Sequence, residues 1–236
     1  MQRPVPEELG TFSIVASDVE RGFWGVAVST HPISVGATVP WAEWRVGAIA
    51  TQALSNYGYG PEGLSLLRRG LSAPEVVRRL TDADRKREHR QLAVVDRRGR
   101  VAAWTGKKCL DSALHITGEG FSCQGNLLAS DDVVKAMARN FEASRGSLDL
   151  RLFGAVEAGL RAGGDRRGVQ SAALVVVHRE PWFDRASSDR WTDLRVDQHP
   201  RPVAELGRIL RIDHELTRKF LRARTARLRR RRRARG

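Results

Sequence analysis

Residues 11–17 read Thr-Phe-Ser-Ile-Val-Ala-Ser, and residues 23–30 read Phe-Trp-Gly-Val-Ala-Val-Ser-Thr. Both stretches are dense in β-branched and apolar residues, a composition that is typical of strands. Because Asp18–Gly22 has the residue types of a tight turn, the two stretches are predicted to form an antiparallel hairpin. The preceding residues, MQRPVPEELG, are mostly polar and include two prolines. A folded domain is therefore predicted to begin at Thr11.

Further strands and helices are predicted from apolar spacing and from turn and capping residues. Hairpins dominate the pattern, which favours antiparallel sheets. Since a sheet that is apolar on both faces needs cover, we predict an α+β fold in which two mainly antiparallel sheets pack together with helices outside. The predicted strands are Val35–Val39, Val46–Ala53, Gln91–Asp96, Val101–Thr105, Val169–Val177 and Leu194–Val196. Three predicted helices begin near Pro61, after Ser72, and at Ser130 or Asp131. Two more are predicted to span Leu148–Ala162 and Pro202–Leu216.

The formal net charge of +14 is concentrated at one end of the chain. Residues 218–236 contain ten arginines, one lysine and no acid, so only +3 of that charge (14 − 11) belongs to residues 1–217. We therefore divide the chain into a leader at 1–10, a domain at 11–217 and an arginine-rich tail at 218–236, which is predicted to be disordered or helical. Such a tail favours nonspecific binding of nucleic acid or an anionic surface, and an extension without function has the same composition.

The sequence has no run of about 18 apolar residues and no apolar stretch after Met1, which predicts a cytoplasmic protein without a transmembrane segment. Two cysteines, Cys109 and Cys123, fit a reducing compartment. The histidines and cysteines lack the spacing of metal ligands, so neither a metal nor a cofactor is predicted. Gly58–Gly63 fits G-x-G-x-x-G, but no acid follows a second parallel strand at the expected distance. A loop before a helix opened by Pro61 is the favoured interpretation.

Three segments beside predicted strands are polar and rich in glycine: Thr51–Gly58, Gly120–Asn126 and Gly163–Ser171. Their amide, hydroxyl and carboxylate groups are suited to orienting a polar substrate or stabilising an oxyanion. The alternative is that they are turns whose side chains cap their own backbone. Three such segments in one chain strengthen the case for a shared site, and both interpretations stay open.

Six stretches together resemble the domain-of-unknown-function family 1028, in order and in spacing. That family is similar to the N-terminal-nucleophile (Ntn) hydrolases, whose fold is a four-layer αββα sandwich of two mainly antiparallel sheets. The resemblance covers about Thr11 to Leu216. The stretches are TFSIVASD, GVAVSTHPISVGATVPWA, GAIATQAL, GFSCQGNLLA, GGDRRGVQSAALVVV and LRVDQHPRPVAELGRIL.

The resemblance implies a role for Thr11. In hydrolases of this architecture the first residue of the mature chain is Thr, Ser or Cys; its side chain attacks a carbonyl and its α-amine is the general base. The unperturbed pKa of an α-amine is near 8, so a useful fraction is neutral at pH 7. Here ten residues precede Thr11, and an amide nitrogen cannot act as that base. We therefore predict cleavage between Gly10 and Thr11, which would expose a threonine nucleophile.

The predicted activity is hydrolysis of an amide bond in a small-molecule or peptide-like substrate. The alternatives are a catalytically silent domain that binds a ligand or partner, and polyanion binding through the tail. A homo-oligomer is also predicted. Cys123 is interpreted as a packed residue rather than a nucleophile. The predicted catalytic residues are Thr11, Asn126 (an oxyanion or substrate donor), Asp165 and Ser171 (orienting groups). The predicted substrate-binding residues are Ser13, on the same face of its strand as Thr11, His31 at the rim, Gln52 and Asn56 lining the pocket, and Gln124 as a donor.

Overall fold

The computed structural model describes residues 10–179 and 188–233 of the chain. Within these residues the chain forms ten strands and five α-helices. All but Gly10 of the predicted leader lies outside the described residues. The strands are β1 Thr11–Asp18, β2 Phe23–Thr30, β3 Pro40–Glu43, β4 Gly47–Ala53, β5 Arg90–Asp96, β6 Val101–Thr105, β7 Leu114–Gly118, β8 Phe121–Asn126, β9 Ser171–Val177 and β10 Arg190–Val196. The helices are α1 Tyr59–Arg68, α2 Ala73–Ala83, α3 Asp132–Ala143, α4 Leu148–Arg161 and α5 Pro202–Arg233.

The larger sheet has six strands in the order β10-β9-β2-β1-β8-β7, and every neighbouring pair is antiparallel. The hairpin predicted at Thr11 is confirmed, because β1 pairs with β2 along its whole length. Thr11 is directly opposite Thr30 on one side and Asn126 on the other. The first residue of the domain therefore lies at the end of a central strand.

The smaller sheet has four strands in the order β3-β4-β5-β6, again all antiparallel. Gln52 near the end of β4 is opposite Gln91 near the start of β5, which in turn is opposite Thr105 at the end of β6. This register aligns three polar side chains on one face of the sheet, because directly paired residues point to the same side. The prediction of a mixed α+β fold with two antiparallel sheets is confirmed.

Successive apolar side chains along a strand point to opposite faces of its sheet, so both faces of each sheet are apolar. On β1, Phe12 and Ile14 pack with α3 and α4, whereas Val15 packs against residues of the smaller sheet. On β4, Ile49 packs with α1 and α2, whereas Ala50 faces the larger sheet. Burying each large apolar side chain stabilises the fold by about 1.5–3 kcal/mol, so packing on both faces of each sheet holds the strands and helices together.

Helix α2 begins as its sequence indicates. The Ser72 backbone N–H donates to Glu75 Oε2 at 2.7 Å, and the two residues form a capping box. Helix α5 packs on the larger sheet through Val203, Leu206 and Leu210 and continues to Arg233. The helix was predicted to span Pro202–Leu216 with a disordered or helical tail after it, and it continues to Arg233 because the arginines, alanines and leucines that follow are strong helix formers.

The strand predictions were wrong in part. Residues Val35–Ala37 form a 3-10 helix instead of a strand, and Ser34 before them has a left-handed φ of 60°. The Val35 N–H donates to the Ser171 hydroxyl at 3.2 Å, so contact with β9 bends this segment away from strand geometry. Strands β3 and β7 were not predicted; both are edge strands, and no residue of β7 is buried.

Strand β9 begins at Ser171, whereas the sequence predicted a start at Val169. Strand β10 extends back to Arg190, four residues before its predicted start at Leu194. No helix among the described residues combines the length and apolar character needed to cross a bilayer.

Candidate active site

Thr11 is buried, with 5% of its surface exposed, and its hydroxyl lies against the peptide bond that precedes it. The Thr11 Oγ1 donates to the Gly10 carbonyl oxygen at 2.7 Å. The Thr30 hydroxyl donates to the same oxygen and lies 3.0 Å from Thr11 Oγ1. Arg167 supplies a third donor, with its Nη2 at 3.3 Å from that oxygen. The Gly10–Thr11 peptide therefore has its carbonyl surrounded by donors, a setting that stabilises negative charge on that oxygen.

Asp165 closes the other side of Gly10. Its Oδ2 accepts from Arg167 Nη2 at 2.8 Å and from the His31 backbone N–H at 3.2 Å, and its Oδ1 accepts from the Arg167 N–H at 3.0 Å. The carboxylate is fully buried and paired with the guanidinium, which offsets the cost of burying its charge. A Cβ atom on Gly10 would lie 2.7 Å from Asp165 Oδ2. Only glycine fits at this position without moving the carboxylate.

A network of buried amide and hydroxyl side chains fills the space between the sheets beside Thr11. Gln124 Nε2 donates to Ser13 Oγ at 2.6 Å, and Ser13 Oγ donates to Gln52 Oε1 at 2.6 Å. Gln52 Nε2 then donates to Gln91 Oε1 at 2.7 Å and to the Thr11 carbonyl at 3.2 Å. The structure thus brings Ser13, Gln52 and Gln124 together beside Thr11, and Gln52 fixes the backbone of Thr11 directly.

Gln91 joins the two sheets at the centre of this network. It has no exposed surface, and its Nε2 donates to Thr105 Oγ1 at 2.9 Å and to the Gly125 carbonyl at 2.9 Å. The Thr105 hydroxyl lies 2.9 Å from Nδ1 of His115, whose pKa is lowered by burial. Thr105 and His115 line a groove of about 470 Å³ at the edge of the sheets. Its lining also includes Lys107, Cys109, Asp111 and Ser112.

Asn126 is directly opposite Thr11 and is fully buried. Its Nδ2 donates to Gln91 Oε1 at 3.0 Å. Its Oδ1 is buried and has no hydrogen-bond partner among the described residues. A buried acceptor without a hydrogen bond lowers the free energy of unfolding by about 1–3 kcal/mol. A buried acceptor kept beside Thr11 at this cost therefore needs a reason.

Two predicted site residues have their side-chain hydrogen bonds elsewhere. Ser171 Oγ donates to the Pro32 carbonyl at 2.6 Å and accepts from Val35, so it fixes the loop after β2. This loop carries His31, whose Nε2 is 3.2 Å from Gln170 Nε2 and whose Nδ1 is buried without a partner in the described part of the chain. The roles predicted for Ser171 and His31 stay predictions.

Asn56 stabilises the loop after β4. Its Nδ2 donates to Asp84 Oδ2 at 3.2 Å, and its Oδ1 accepts from the Gly58 N–H at 3.0 Å. Burial acts to raise the pKa of Asp84, but hydrogen bonds from Arg90, Lys86 N–H, Tyr59 and Asn56 outweigh it and lower that pKa to about 2. These contacts link Asn56 to a carboxylate at the C-cap of α2, and its pocket-lining role stays a prediction.

Thr30, Gln91 and Arg167 contact the candidate site but were not predicted. Gln91 follows Arg90 and precedes the apolar run Leu92–Val95, so at the edge of its strand it did not stand out as a buried residue. Thr30 is opposite Thr11 in the predicted hairpin, which was a usable indication. Arg167 gave none, because its contact depends on how the loop before β9 folds back over Gly10.

The sulfur of Cys123 is fully buried among the apolar residues below α3, and this burial raises its pKa well above the usual range. A thiol in this setting is protonated, in keeping with its interpretation as a packed residue. No group of three His, Cys, Asp or Glu side chains suited to a metal ion occurs in the described ranges. The glycines of Gly58–Gly63 have a packing reason, since a Cβ on Gly60 would lie 2.2 Å from the Trp41 ring.

The sequence was compared with families, curated proteins and solved structures. The profile of a family of unknown function, DUF1028, matches residues 11–206. The chain belongs to the DUF1028 family. It is similar to a crystal structure of a DUF1028 protein from Silicibacter pomeroyi, with 34% sequence identity and a TM-score of 0.76. That likeness covers 86% of this chain and 85% of the other.

No curated protein matches the sequence. The predicted family resemblance is confirmed. The DUF1028 match begins at Thr11 and includes Thr30, Asn126, Asp165 and Arg167, whereas Gly10 and the second part of α5 lie outside it.

Proposed function

We propose that this DUF1028 protein is an amide hydrolase whose nucleophile is Thr11, exposed by cleavage of the Gly10–Thr11 peptide bond. The observation that carries the proposal is the Gly10 carbonyl, which accepts hydrogen bonds from Thr11, Thr30 and Arg167. Ordinary strand geometry does not require three side-chain donors on one carbonyl. During attack the Thr11 hydroxyl leaves this oxygen for the carbonyl carbon, and Thr30 and Arg167 remain to stabilise the charge that develops on the oxygen.

The cleavage conserves atoms and electrons without a cofactor. Thr11 Oγ1 bonds to the Gly10 carbonyl carbon, the C–N bond breaks, and the hydroxyl proton is transferred to the departing nitrogen. The product is an ester between Gly10 and the Thr11 side chain. Water then hydrolyses this ester, which leaves a Gly10 carboxylate and a Thr11 with both a free hydroxyl and a free α-amine. The Thr30 hydroxyl keeps its own proton on the Gly10 oxygen throughout, so it acts as an oxyanion donor.

The side chains around the new α-amine support the second part of the proposal. The Oδ1 of Asn126 gains a donor, which explains why a buried acceptor is kept there. Asp165 provides a negative charge that Arg167 holds in place. Removal of Gly10 frees Thr30 and Arg167 to bind the carbonyl oxygen of a small-molecule or peptide-like amide. Gln124 and Ser13 act indirectly, by holding Gln52 and, through it, the Thr11 carbonyl.

The architecture also supports the proposal. The two antiparallel sheets pack face to face, with α3 and α4 against one and α1 and α2 against the other. We interpret this order of layers as the αββα sandwich of Ntn-type hydrolases, in which the nucleophile begins a central strand. Fold alone transmits no substrate, so the chemistry rests on the contacts at Thr11.

Self-cleavage is tested by following the intact mass of purified protein during incubation. The wild type is expected to lose residues 1–10, and Thr11→Ala is expected to keep them. Thr30→Val should slow the cleavage by about 10²–10³-fold, the usual effect of losing one oxyanion donor. Thr117→Val, at an exposed position of β7, is the matched control and should cleave at the wild-type rate. Equal rates for Thr30→Val and the wild type would contradict the assigned role of Thr30.

Hydrolysis of a separate substrate needs its own assay, because a protein can cleave itself and have no further activity. Cleaved wild type and Thr11→Ala are compared on a panel of chromogenic amides and dipeptides. Turnover by the wild type alone supports the hydrolase. Equal rates, or none on any amide, favour the alternative of a catalytically silent domain that binds a ligand or a partner.

A further inference from the structure

Helix α5 extends beyond the body of the domain. Its buried residues are Val203, Leu206 and Leu210, and one turn later His214 Nε2 lies 2.8 Å from Asp149 Oδ2 of α4. From residue 211 to 225, no residue with a described side chain is buried. The part from Glu215 to Arg233 has 19 residues and is about 28 Å long at 1.5 Å per residue.

An exposed apolar stripe begins on the helix at Ile212, just before this extension, and continues onto it. Ile212, Leu216 and Phe220 follow each other at intervals of four and therefore share one side of the helix. Their exposed fractions are 44%, 60% and 57%. A row of large apolar side chains on one helix face needs an explanation, whereas single exposed ones do not.

The same extension is strongly cationic. Lys219 is exposed beside the stripe, and Arg218 and Arg222 are exposed on the other faces of the helix. From residue 218 to the end, the chain contains ten arginines, one lysine and no acid. A helix with an apolar stripe and a dense cationic face is the pattern of segments that lie in the interface of an anionic membrane.

We propose that α5 binds the surface of an anionic lipid bilayer, with Ile212, Leu216 and Phe220 inserted among the lipids. Arginines alone explain contact with nucleic acid phosphates, and the apolar stripe would add nothing there. Pairing of the stripe with a second copy would bring two tails of +11 together, and their repulsion opposes it. A bilayer uses both features, because its headgroups attract the arginines and its acyl region accepts the stripe.

The test uses the full chain in a vesicle flotation assay. Phosphatidylcholine vesicles are compared with vesicles in which about one third of the lipid is phosphatidylglycerol. The wild type is expected to float with the anionic vesicles only. The variant Leu216→Ser/Phe220→Ser keeps every charge and should lose about tenfold or more in affinity, because each buried large apolar side chain contributes substantially to partitioning. Leu150→Ser, 44% exposed on α4, is the matched control and should bind as the wild type does.

Binding of the same proteins to duplex RNA and their mass in solution distinguish the other occupants. The proposal expects the double variant to bind RNA unchanged and to keep its oligomeric state. It is overturned if the double variant floats as well as the wild type, or if the wild type binds no anionic vesicle. Conversion of a wild-type dimer to a monomer by the double substitution would identify a second copy as the occupant instead.

Discussion

Replacing Gln91 with methionine removes the amide at the centre of the buried network while keeping nearly the same side-chain length. Gln52 Nε2 and Asn126 Nδ2 both donate to Gln91 Oε1, at 2.7 and 3.0 Å. After the substitution these two donors lose that acceptor in a site without exposed surface. Each buried donor left unsatisfied costs about 1–3 kcal/mol, so Gln91→Met is expected to lower the free energy of unfolding by about 2–6 kcal/mol.

Urea denaturation followed by circular dichroism measures this change. Gln198→Met, in the exposed loop before α5, is the matched control and should change the free energy of unfolding by less than about 0.5 kcal/mol. An effect of Gln91→Met as small as that of the control would refute the reasoning, since it would mean that the network is replaceable by apolar packing. A large effect would also explain why the polar residues between the sheets are placed beside Thr11, where a fixed backbone is needed.

Three further predictions concern other parts of the molecule. Gly10→Ala should slow self-cleavage about tenfold or more without unfolding the domain, because the alanine Cβ would lie 2.7 Å from Asp165 Oδ2. Cleavage at the wild-type rate in a mass time course would be incompatible with this packing. The pKa of Asp84 is about 2 in the folded protein against an ordinary 3.8, so its stabilisation is complete above the ordinary value and is lost as pH falls from about 4 toward 2. Urea curves across that range should show the loss in the wild type and a smaller slope in Asp84→Asn. Leu152→Ala removes a fully buried side chain between α4 and the larger sheet and should cost about 2–5 kcal/mol; a cost below about 1 kcal/mol in thermal unfolding would contradict the assigned packing.

Local sequence determined the hairpin at Thr11 and the start of α2, because alternation and capping residues act over a few positions. It failed at Val35–Val39, where β-branched residues favour a strand but the hydroxyl of Ser171, far along the chain, holds the backbone in a tight turn. It also missed β7, whose pairing with β8 compensates for weak local preference. Long-range contacts decided these segments, and a single sequence does not reveal them.

Part of the candidate site was predictable because it depends on local sequence features. Ser13, Gln52, Gln124 and Asn126 were found because polar side chains stand out within or beside apolar strands. Arg167 was missed, since its relevance comes from meeting the Gly10 carbonyl across the fold. Thr30 was missed although the predicted hairpin places it opposite Thr11.

The mass of the mature protein tests the central claim most directly. Protein purified from cells and incubated at neutral pH is measured intact, and its first residue is identified by N-terminal sequencing. The account predicts that the wild type begins at Thr11 and that Thr11→Ala retains residues 1–10. A wild-type protein that keeps Gly10 after prolonged incubation would contradict it, because Thr11 would then have no free α-amine to act as a base.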